Sequence, residues 1–463
     1  LILTVCAAGI GGTFQYGYNI SIINAPTLYI QTFMNKTWLE RTGAPLESGM
    51  VLMLWSFTVS VYPLGGLAGA VAAGPMAIVL GRKMSLLVNN IFVIVAAVLS
   101  GFSQMAKSFE MIMLSRFLTG VNAGVSMNVQ PMYLAESAPK KLRGAVALTS
   151  ASFTALGLVL GQVVGLRELL GGEESWPLLL ASNAVPALIQ LMILPWFPES
   201  PRYLLIDRGD RESCISALKK LRGSSDLGEE LEEMLSEQAA AKGQRAKKPW
   251  ELFRNPAVRW QLISIIVLSS AMQLCGNDSV SCWGLQQSAA ALYGPWVQAL
   301  GFNTLPAEEG AVFCSASADL AAEGVNKVVK EELWEKLMLS LAFRCSLWLQ
   351  AQISWMPYLS MACIFAYILS FGIGPAGVLC PLPTEIFIQS YRPAAYAFNG
   401  ASNWIQLFFL GLLFPFIVEG LGSFCFIIFL AYCLSMAIFV YLVVPETKGK
   451  TMLQIMEEFN RLN

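Results

Sequence analysis

The chain is written in apolar blocks. They occupy residues 1–23, 50–73, 85–105, 111–134, 145–166 and 177–197, and then 261–275, 357–382, 397–419 and 424–444. Each approaches the about 20 residues that carry an α-helix across a bilayer. A weaker block at 341–356 reads as a further span. Charged residues make up only 13% of the chain, about half of what soluble domains carry. A water-soluble fold of this size lacks the polar residues for its own surface. The expected class is an all-α membrane protein with many crossings.

Several chemistries are excluded at the start. Histidine is absent, which removes imidazole metal sites, histidine catalysis and histidine pH switching. The ten cysteines lie mostly inside apolar blocks without metal-ligand spacing and read as small packing residues. A net charge of −1 gives no footprint for nucleic acid. Gly449-Lys450-Thr451 has the end of a phosphate loop, but Val444 stands where its first glycine belongs. No enzyme and no cofactor is expected. The apolar start at Leu1, followed by span after span, reads as a chain lacking its native N-terminus and not as a signal peptide.

Lysine and arginine in the short loops set the orientation. Arg82 and Lys83 follow the second block, Lys140, Lys141 and Arg143 the fourth, Arg392 the block at 357–382, and Lys448 and Lys450 the last. These ends are expected in the cytoplasm, together with both termini. Loops with Glu47, Glu110, Glu173 and Glu174 then face outward, and Asn35-Lys36-Thr37 is a glycosylation sequon in the first of them. Residues 206–259 hold eleven basic and ten acidic side chains. Leu227, Leu231, Met234 and Leu235 recur there at helical spacing beside Glu229, Glu230, Glu232 and Glu233. A cytoplasmic helical linker is expected at 206–259, between an N-terminal bundle (1–205) and a C-terminal bundle (260–463).

The two bundles echo each other. Glu136 is followed seven residues later by Arg143, and Glu385 seven residues later by Arg392. The pairs are 249 residues apart, from 136 to 385. Pro198-Glu199-Ser200-Pro201-Arg202 closes the first half and Pro445-Glu446-Thr447-Lys448-Gly449 the second, 247 residues apart from Glu199 to Glu446. Two landmarks with almost one offset mark a tandem duplication, with six helices expected in each copy. Parallel repeats of this kind hold substrate near the membrane midplane. Arginines and carboxylates at matched helix ends form forked, directional pairs. A cytoplasmic gate is therefore expected from Arg82, Glu136, Arg143, Glu199, Arg202, Glu385, Arg392 and Glu446, pairing across the halves.

The motifs also carry a resemblance. Gln15-Tyr16-Gly17-Tyr18-Asn19, Gly81-Arg82-Lys83, Arg116 with Gly120 and Gly124, and Pro131-Met132-Tyr133 with Glu136, Pro139, Arg143 and Gly144 come in order. The Pro-Glu-Ser-Pro-Arg string, Arg392-Pro393-Ala394-Ala395, Asn403-Trp404 and the Pro-Glu-Thr-Lys-Gly ending follow. As a set over about 1–280 and 357–463, the chain resembles the facilitative hexose transporters of the major facilitator superfamily, in the class that includes fructose transporters. The resemblance implies two pseudo-symmetric six-helix bundles and passive sugar movement across the plasma membrane by alternating access. Its partners would be the hexose and the bilayer; oligomeric state is left open. Gly120 and Gly124 form a small-xxx-small step for close helix approach. Arg116, costly in lipid, is expected to face protein or an interface. Asn19 stands where related proton symporters carry an aspartate, and a neutral amide does not exchange a proton, so uniport is expected.

The resemblance places the sugar at Tyr16 and Ile20 in the first span and Thr154 and Leu158 in the fifth. Gln273 and Asp278 join from the seventh and Asn403 from the eleventh. Ala151 and Met272 stand where relatives have glutamines, Asp278 replaces an asparagine, and Cys380 replaces a tryptophan of glucose carriers, which leans the substrate toward fructose, with or without glucose. Between Val280 and about Leu347 the resemblance stops. Lys327-Val328-Val329-Lys330-Glu331-Glu332 falls where an apolar span and a second Gly-Arg-Arg loop would lie, and each charge at membrane depth costs about 2.5–3.5 kcal/mol on insertion scales. A second reading follows from this stretch: a chain that keeps the fold without transport, acting as a sugar receptor or regulatory partner.

Overall fold

The computed structural model describes residues 2–139, 143–167, 169–223, 258–274, 392–421 and 425–445, with short pieces at 228, 231–232, 234–235, 386–387, 455 and 457–459. Its contacts divide the chain into two compact units, Leu1–Arg245 and Ala246–Asn463. In the first unit the helices are α1 (Ile2–Ile10), α2 (Thr13–Ile22), α3 (Thr27–Thr42), α4 (Ser48–Val79), α5 (Arg82–Phe102), α6 (Glu110–Ser137), α7 (Arg143–Val164), α8 (Trp176–Ala181), α9 (Ala184–Ile193) and α10 (Arg211–Arg222). The second unit contributes α11 (Arg259–Leu274), α12 (Arg392–Leu421) and α13 (Cys425–Val443). The apolar blocks at 341–356 and 357–382, and the atypical stretch 281–347, lie outside the described residues.

The solvent of this fold is legible in α5. Ser85, Asn89, Asn90 and Ser100 point inward and are buried, while Ile91, Val95, Val98 and Phe102 are exposed. A helix in water does the reverse. Polar groups face protein and aliphatic groups face out, which is the stable arrangement when the surroundings are hydrocarbon. Gly49–Val79, Arg82–Phe102 and Trp176–Trp196 are long and apolar enough to cross a membrane.

Between apolar helices in lipid, packing and hydrogen bonds replace hydrophobic association. α4 and α6 meet over glycines. A side chain on Gly120 would strike the Tyr62 carbonyl, and one on Gly124 the Gly66 carbonyl. Gly65 and Gly69 of α4 answer against the Phe117 and Val121 carbonyls. The step expected at Gly120 and Gly124 is therefore a backbone-to-backbone contact. α2 and α7 meet in the same way, with Gly17 on the Thr154 carbonyl and Gly157 on that of Phe14.

Two apolar blocks carry internal breaks that hydropathy does not mark. The block 1–23, read as one span, is broken at Gly11-Gly12 into α1 and α2. The block 177–197 is interrupted at Ser182-Asn183 between α8 and α9. Hydropathy runs unbroken through both places, and only partners distant in sequence reveal the breaks. Gln15 Nε2 donates to the Asn183 carbonyl at 2.8 Å, and the Tyr18 and Ser182 hydroxyls are 2.7 Å apart. The second break is thereby tied to α2.

After the membrane helices the chain makes a π-turn at Tyr203–Asp207 and enters α10. Asp210 caps α10 by accepting from Ser213 N at 3.0 Å and the Ser213 hydroxyl at 2.6 Å, and these bonds lower its pKa. Gly223 ends the helix in the left-handed conformation (φ 66°). Leu205, Cys214, Leu218 and Met234 form a small core with Leu231 and Leu235 packed against it, so the apolar stripe at 231–235 has an internal partner. In the second unit, Leu262, Ile265 and Leu268 of α11 pack with Ala395, Val440, Ile386, Phe387, Ile455 and Phe459.

Candidate functional site

Four of the expected sugar-facing residues fall on one helix pair. Tyr16 and Ile20 lie one turn apart on α2, and Thr154 and Leu158 one turn apart on α7. All four are half-buried. The Gly17 and Gly157 contacts bring these helices together at that level. The Thr154 hydroxyl lies 3.1 Å from the Ser150 carbonyl and 3.4 Å from that of Thr13, so α7 also bonds to the first residue of α2. The hydroxyls of Tyr16 and Thr154 beside an aromatic ring and two aliphatic side chains are neutral, amphipathic chemistry suited to a sugar.

Behind this pair lies a layer of buried amides. Asn19 Nδ2 donates to the Gln15 carbonyl at 2.8 Å. Asn89 and Asn122 exchange bonds to each other's carbonyls at 2.9 and 3.1 Å, and Asn89 also donates to Ser126 Oγ at 3.0 Å. Arg116 is buried among them. Its Nη1 donates to the Asn19 carbonyl at 3.0 Å, and its guanidinium sits 4.4 Å from the centre of the Tyr62 ring. Arg116 thus faces protein, held by a backbone dipole and a ring face. Of the described side chains under 9% exposed, it alone carries a charge.

A second cluster gathers at the start of α5 and the end of α6. Arg82 Nε lies 3.0 Å from Glu136 Oε2, and Arg82 Nη2 donates to Glu136 Oε1 at 3.0 Å. Glu199 accepts from Arg82 N at 3.1 Å, Lys83 N at 2.9 Å and Ser200 N at 3.0 Å. Its carboxylate therefore caps the positive end of α5. Gly81, at φ 89°, makes the turn into this cradle; a Cβ there would lie 2.7 Å from Glu199 Oε2 and 2.8 Å from Tyr203 Cε1. Ser200 Oγ donates to Glu136, and the Arg82 guanidinium rests 4.7 Å from the Tyr203 ring centre. Tyr133 OH donates to the Pro198 carbonyl at 2.7 Å, and Arg222 to that of Ser137 at 2.7 Å. The Gly-Arg-Lys and Pro-Glu-Ser-Pro-Arg strings, over a hundred residues apart, form one hydrogen-bonded knot within the first unit.

At the opposite ends of α5 and α6, Arg41 pairs with Glu110 at 2.5 Å and donates to the Lys107 carbonyl at 2.7 Å, while Lys107 pairs with Glu40 at 2.8 Å. Desolvation alone would raise the Glu110 pKa, but bonds from Arg41 and Ser108 outweigh it and the pKa is lowered. The Lys107 hydrogen bond and charge lower that of exposed Glu40. Asn35 lies inside α3, half-buried, with Oδ1 accepting from Leu46 N at 3.0 Å, and its sequon partner Thr37 is buried.

In the second unit Asn403 Oδ1 accepts from Ser269 Oγ of α11 at 2.6 Å. Gln273 lies one turn beyond Ser269 on the same helix. Arg202 is half-buried at the entry to the π-turn. Arg143 and Arg392 open α7 and α12, while Asp278, Glu385 and Glu446 lie outside the described residues. Sequence reasoning passed over Gln130, Gln190, Asn90 and Asn183, all under 9% exposed. Their signal was available as amides inside apolar blocks, each of which needs a partner.

Comparison with known proteins accounts for this arrangement. A sequence model of the "Sugar (and other) transporter" family matches residues 3–286 and 336–459. The unmatched residues 287–335 fall inside the stretch where the motifs stop. The chain is 57% identical to human solute carrier family 2, facilitated glucose transporter member 11, covering all of this chain and 93% of that protein. It is 42% identical to bovine member 5 of the same family, covering all of this chain and 92% of the relative. In structure it is similar to the Escherichia coli xylose transporter XylE in a partially occluded inward-open conformation, with a TM-score of 0.75 at 19% identity over 97% of this chain and 99% of that one. The apolar exterior, the amide interior and the ordered motifs are those of a major facilitator fold, and this chain belongs to the sugar transporter family.

Proposed function

We propose that this chain is a facilitative hexose carrier that moves fructose, with or without glucose, down its gradient across the plasma membrane by alternating access. The observation that carries the reading is that α2 carries no carboxylate. Asn19, the position from which a carboxylate would drive proton coupling, carries a neutral side-chain amide, and its backbone carbonyl accepts from Arg116. Neutral donors and acceptors bind a sugar without requiring an ion to travel with it. The curated relatives are named as facilitated glucose transporters, and this agrees with the same reading.

On this proposal, Tyr16, Ile20, Thr154, Leu158, Gln273, Asp278 and Asn403 contact the sugar. Arg82, Glu136, Arg143, Glu199, Arg202, Glu385, Arg392 and Glu446 form the cytoplasmic gate, and both termini face the cytoplasm. The chain is organised as bundles at 1–205 and 260–463 around a cytoplasmic linker at 206–259, with Asn35 glycosylated before α3 closes around Thr37.

The test is flux of labelled D-fructose and D-glucose into proteoliposomes of the purified chain. Uptake should saturate, stop at equal concentrations on both sides, and show the same end point with or without a pH gradient. Accumulation above equilibrium when the outside is acidified would overturn uniport, and absence of flux for both sugars would overturn the transport reading.

A further inference from the structure

The break between α1 and α2 leaves backbone groups that a continuous helix would have paired. In an unbroken helix the Thr13 N–H donates to the Gly9 carbonyl, and the Ala8 carbonyl accepts from Gly12 N–H. Here Gly12 N–H takes the Gly9 carbonyl, at 3.2 Å. Thr13 N–H goes instead to Gln130 Oε1 of α6, at 2.5 Å. The Ala8 and Ala7 carbonyls receive Gln190 Nε2 of α9, at 3.0 and 3.3 Å. Gln190 Oε1 in turn accepts from Asn90 Nδ2 of α5 at 2.7 Å. Gln130, Gln190 and Asn90 are all at most 1% exposed.

The glycines show that the fit is built. A Cβ on Gly11 would strike the Gln190 side chain, and a Cβ on Gly12 would strike Gln130 Oε1. Each glycine leaves the space that one glutamine fills. The amide orientation is also fixed, because Thr13 N–H requires the oxygen of Gln130 and the paired carbonyls require the nitrogen of Gln190. At membrane depth a broken helix persists only if its freed groups are satisfied by protein, and these two side chains do so from two other helices.

We infer that Gln130 and Gln190 are positioning residues, a side-chain clasp that holds the Gly11-Gly12 break open and thereby sets which face of α2 is turned to the substrate. Thr13 is the first residue of α2, and Tyr16 lies three positions further on, with Ile20 one turn beyond that. The direction in which Thr13 N–H points fixes the start of the helix and so the azimuth of both side chains. The inference rests on the proposed sugar-facing role of α2, and the experiment separates the two.

The experiment compares wild type with Gln130→Met, which keeps length and removes the acceptor, and Gln130→Glu, which keeps an oxygen for Thr13 N–H. Hydrogen exchange on the reconstituted full chain reads the Thr13 amide, and fructose flux gives KM and Vmax. Gln130→Met should speed exchange at Thr13 roughly tenfold. It should raise KM about fivefold, the order of one lost buried hydrogen bond, with Vmax little changed. Gln130→Glu should restore both. Unchanged Thr13 exchange in Gln130→Met would overturn the clasp. Faster exchange with wild-type KM would overturn its positioning role. A wild type that carries no sugar would instead overturn the transport reading, and exchange at Thr13 would still decide whether the clasp exists.

Discussion

Gly81 shows what single residues do at the charged knot. It holds φ at 89° and leaves room for the Glu199 carboxylate and the Tyr203 ring. Any other L-residue there meets both backbone strain of about 1–2 kcal/mol and a carboxylate oxygen 2.7 Å away. Gly49, in the exposed first turn of α4 with nothing within 4 Å of where a Cβ would lie, supplies the contrast. Gly81→Ala should lower thermal stability by at least about 1–2 kcal/mol, whereas Gly49→Ala should be neutral or gain up to about 1 kcal/mol. Tryptophan-fluorescence melts of the two purified variants in one detergent decide this, and equal midpoints would count against the cradle. The motif residues were legible one by one, because glycine before a basic pair and a lone glutamate between prolines stand out. Their union was not legible: Glu199 caps a helix that begins 117 residues earlier, and nothing local to either string encodes the other.

At the scale of helices, small-residue spacing told more than hydropathy. Gly120 and Gly124 announce a close approach from the sequence alone, and the structure supplies Gly65, Gly66 and Gly69 of α4 as the facing surface. Hydropathy did not reveal the break in the first span, because Ile10-Gly11-Gly12-Thr13 is apolar enough to pass as helix. Its break depends on Gln130 and Gln190, which belong to other helices. The α4–α6 seam yields to a direct perturbation. Valine at 124 would place carbon against the Gly66 carbonyl and within 2.8 Å of Ala70 N, where neither backbone can retreat without breaking its own helix. Overpacking of this kind costs about 1–3 kcal/mol or more. Gly124→Val should therefore cut the yield of monodisperse protein several-fold in size-exclusion chromatography. Val98→Leu, on the 53% exposed outer face of α5, should leave that yield unchanged; a matching loss in Val98→Leu would show that the assay reports expression and not the seam.

For the molecule as a whole, the tandem landmarks at 136 and 385, and at 199 and 446, point to a duplication, while the described structure shows how self-contained the first unit is. Its amide layer, its charged knot and its two large apolar cores draw their described partners from residues 1–245. Charged and polar groups that find partners within one copy do not need the other copy to remain buried. Expressed alone, residues 1–245 should accordingly insert and fold, although the proposed sugar site draws on both copies. This fragment has two cysteines, Cys6 and Cys214, which act as opposite reporters. Cys6 is exposed, and Cys214 is buried against Leu205, Leu218 and Met234. With a water-soluble maleimide and site-resolved mass spectrometry, Cys214 should stay protected until heating unfolds the fragment, at about the temperature that exposes it in the full chain. Cys6 belongs to the apolar face of α1, so a lipid nanodisc should slow its labelling relative to detergent without altering that of Cys214. Rapid modification of Cys214 in the cold fragment would mean that the first copy needs the second in order to fold. The knot at Arg82, Glu136 and Glu199 would then be a consequence of assembly and not one of its causes.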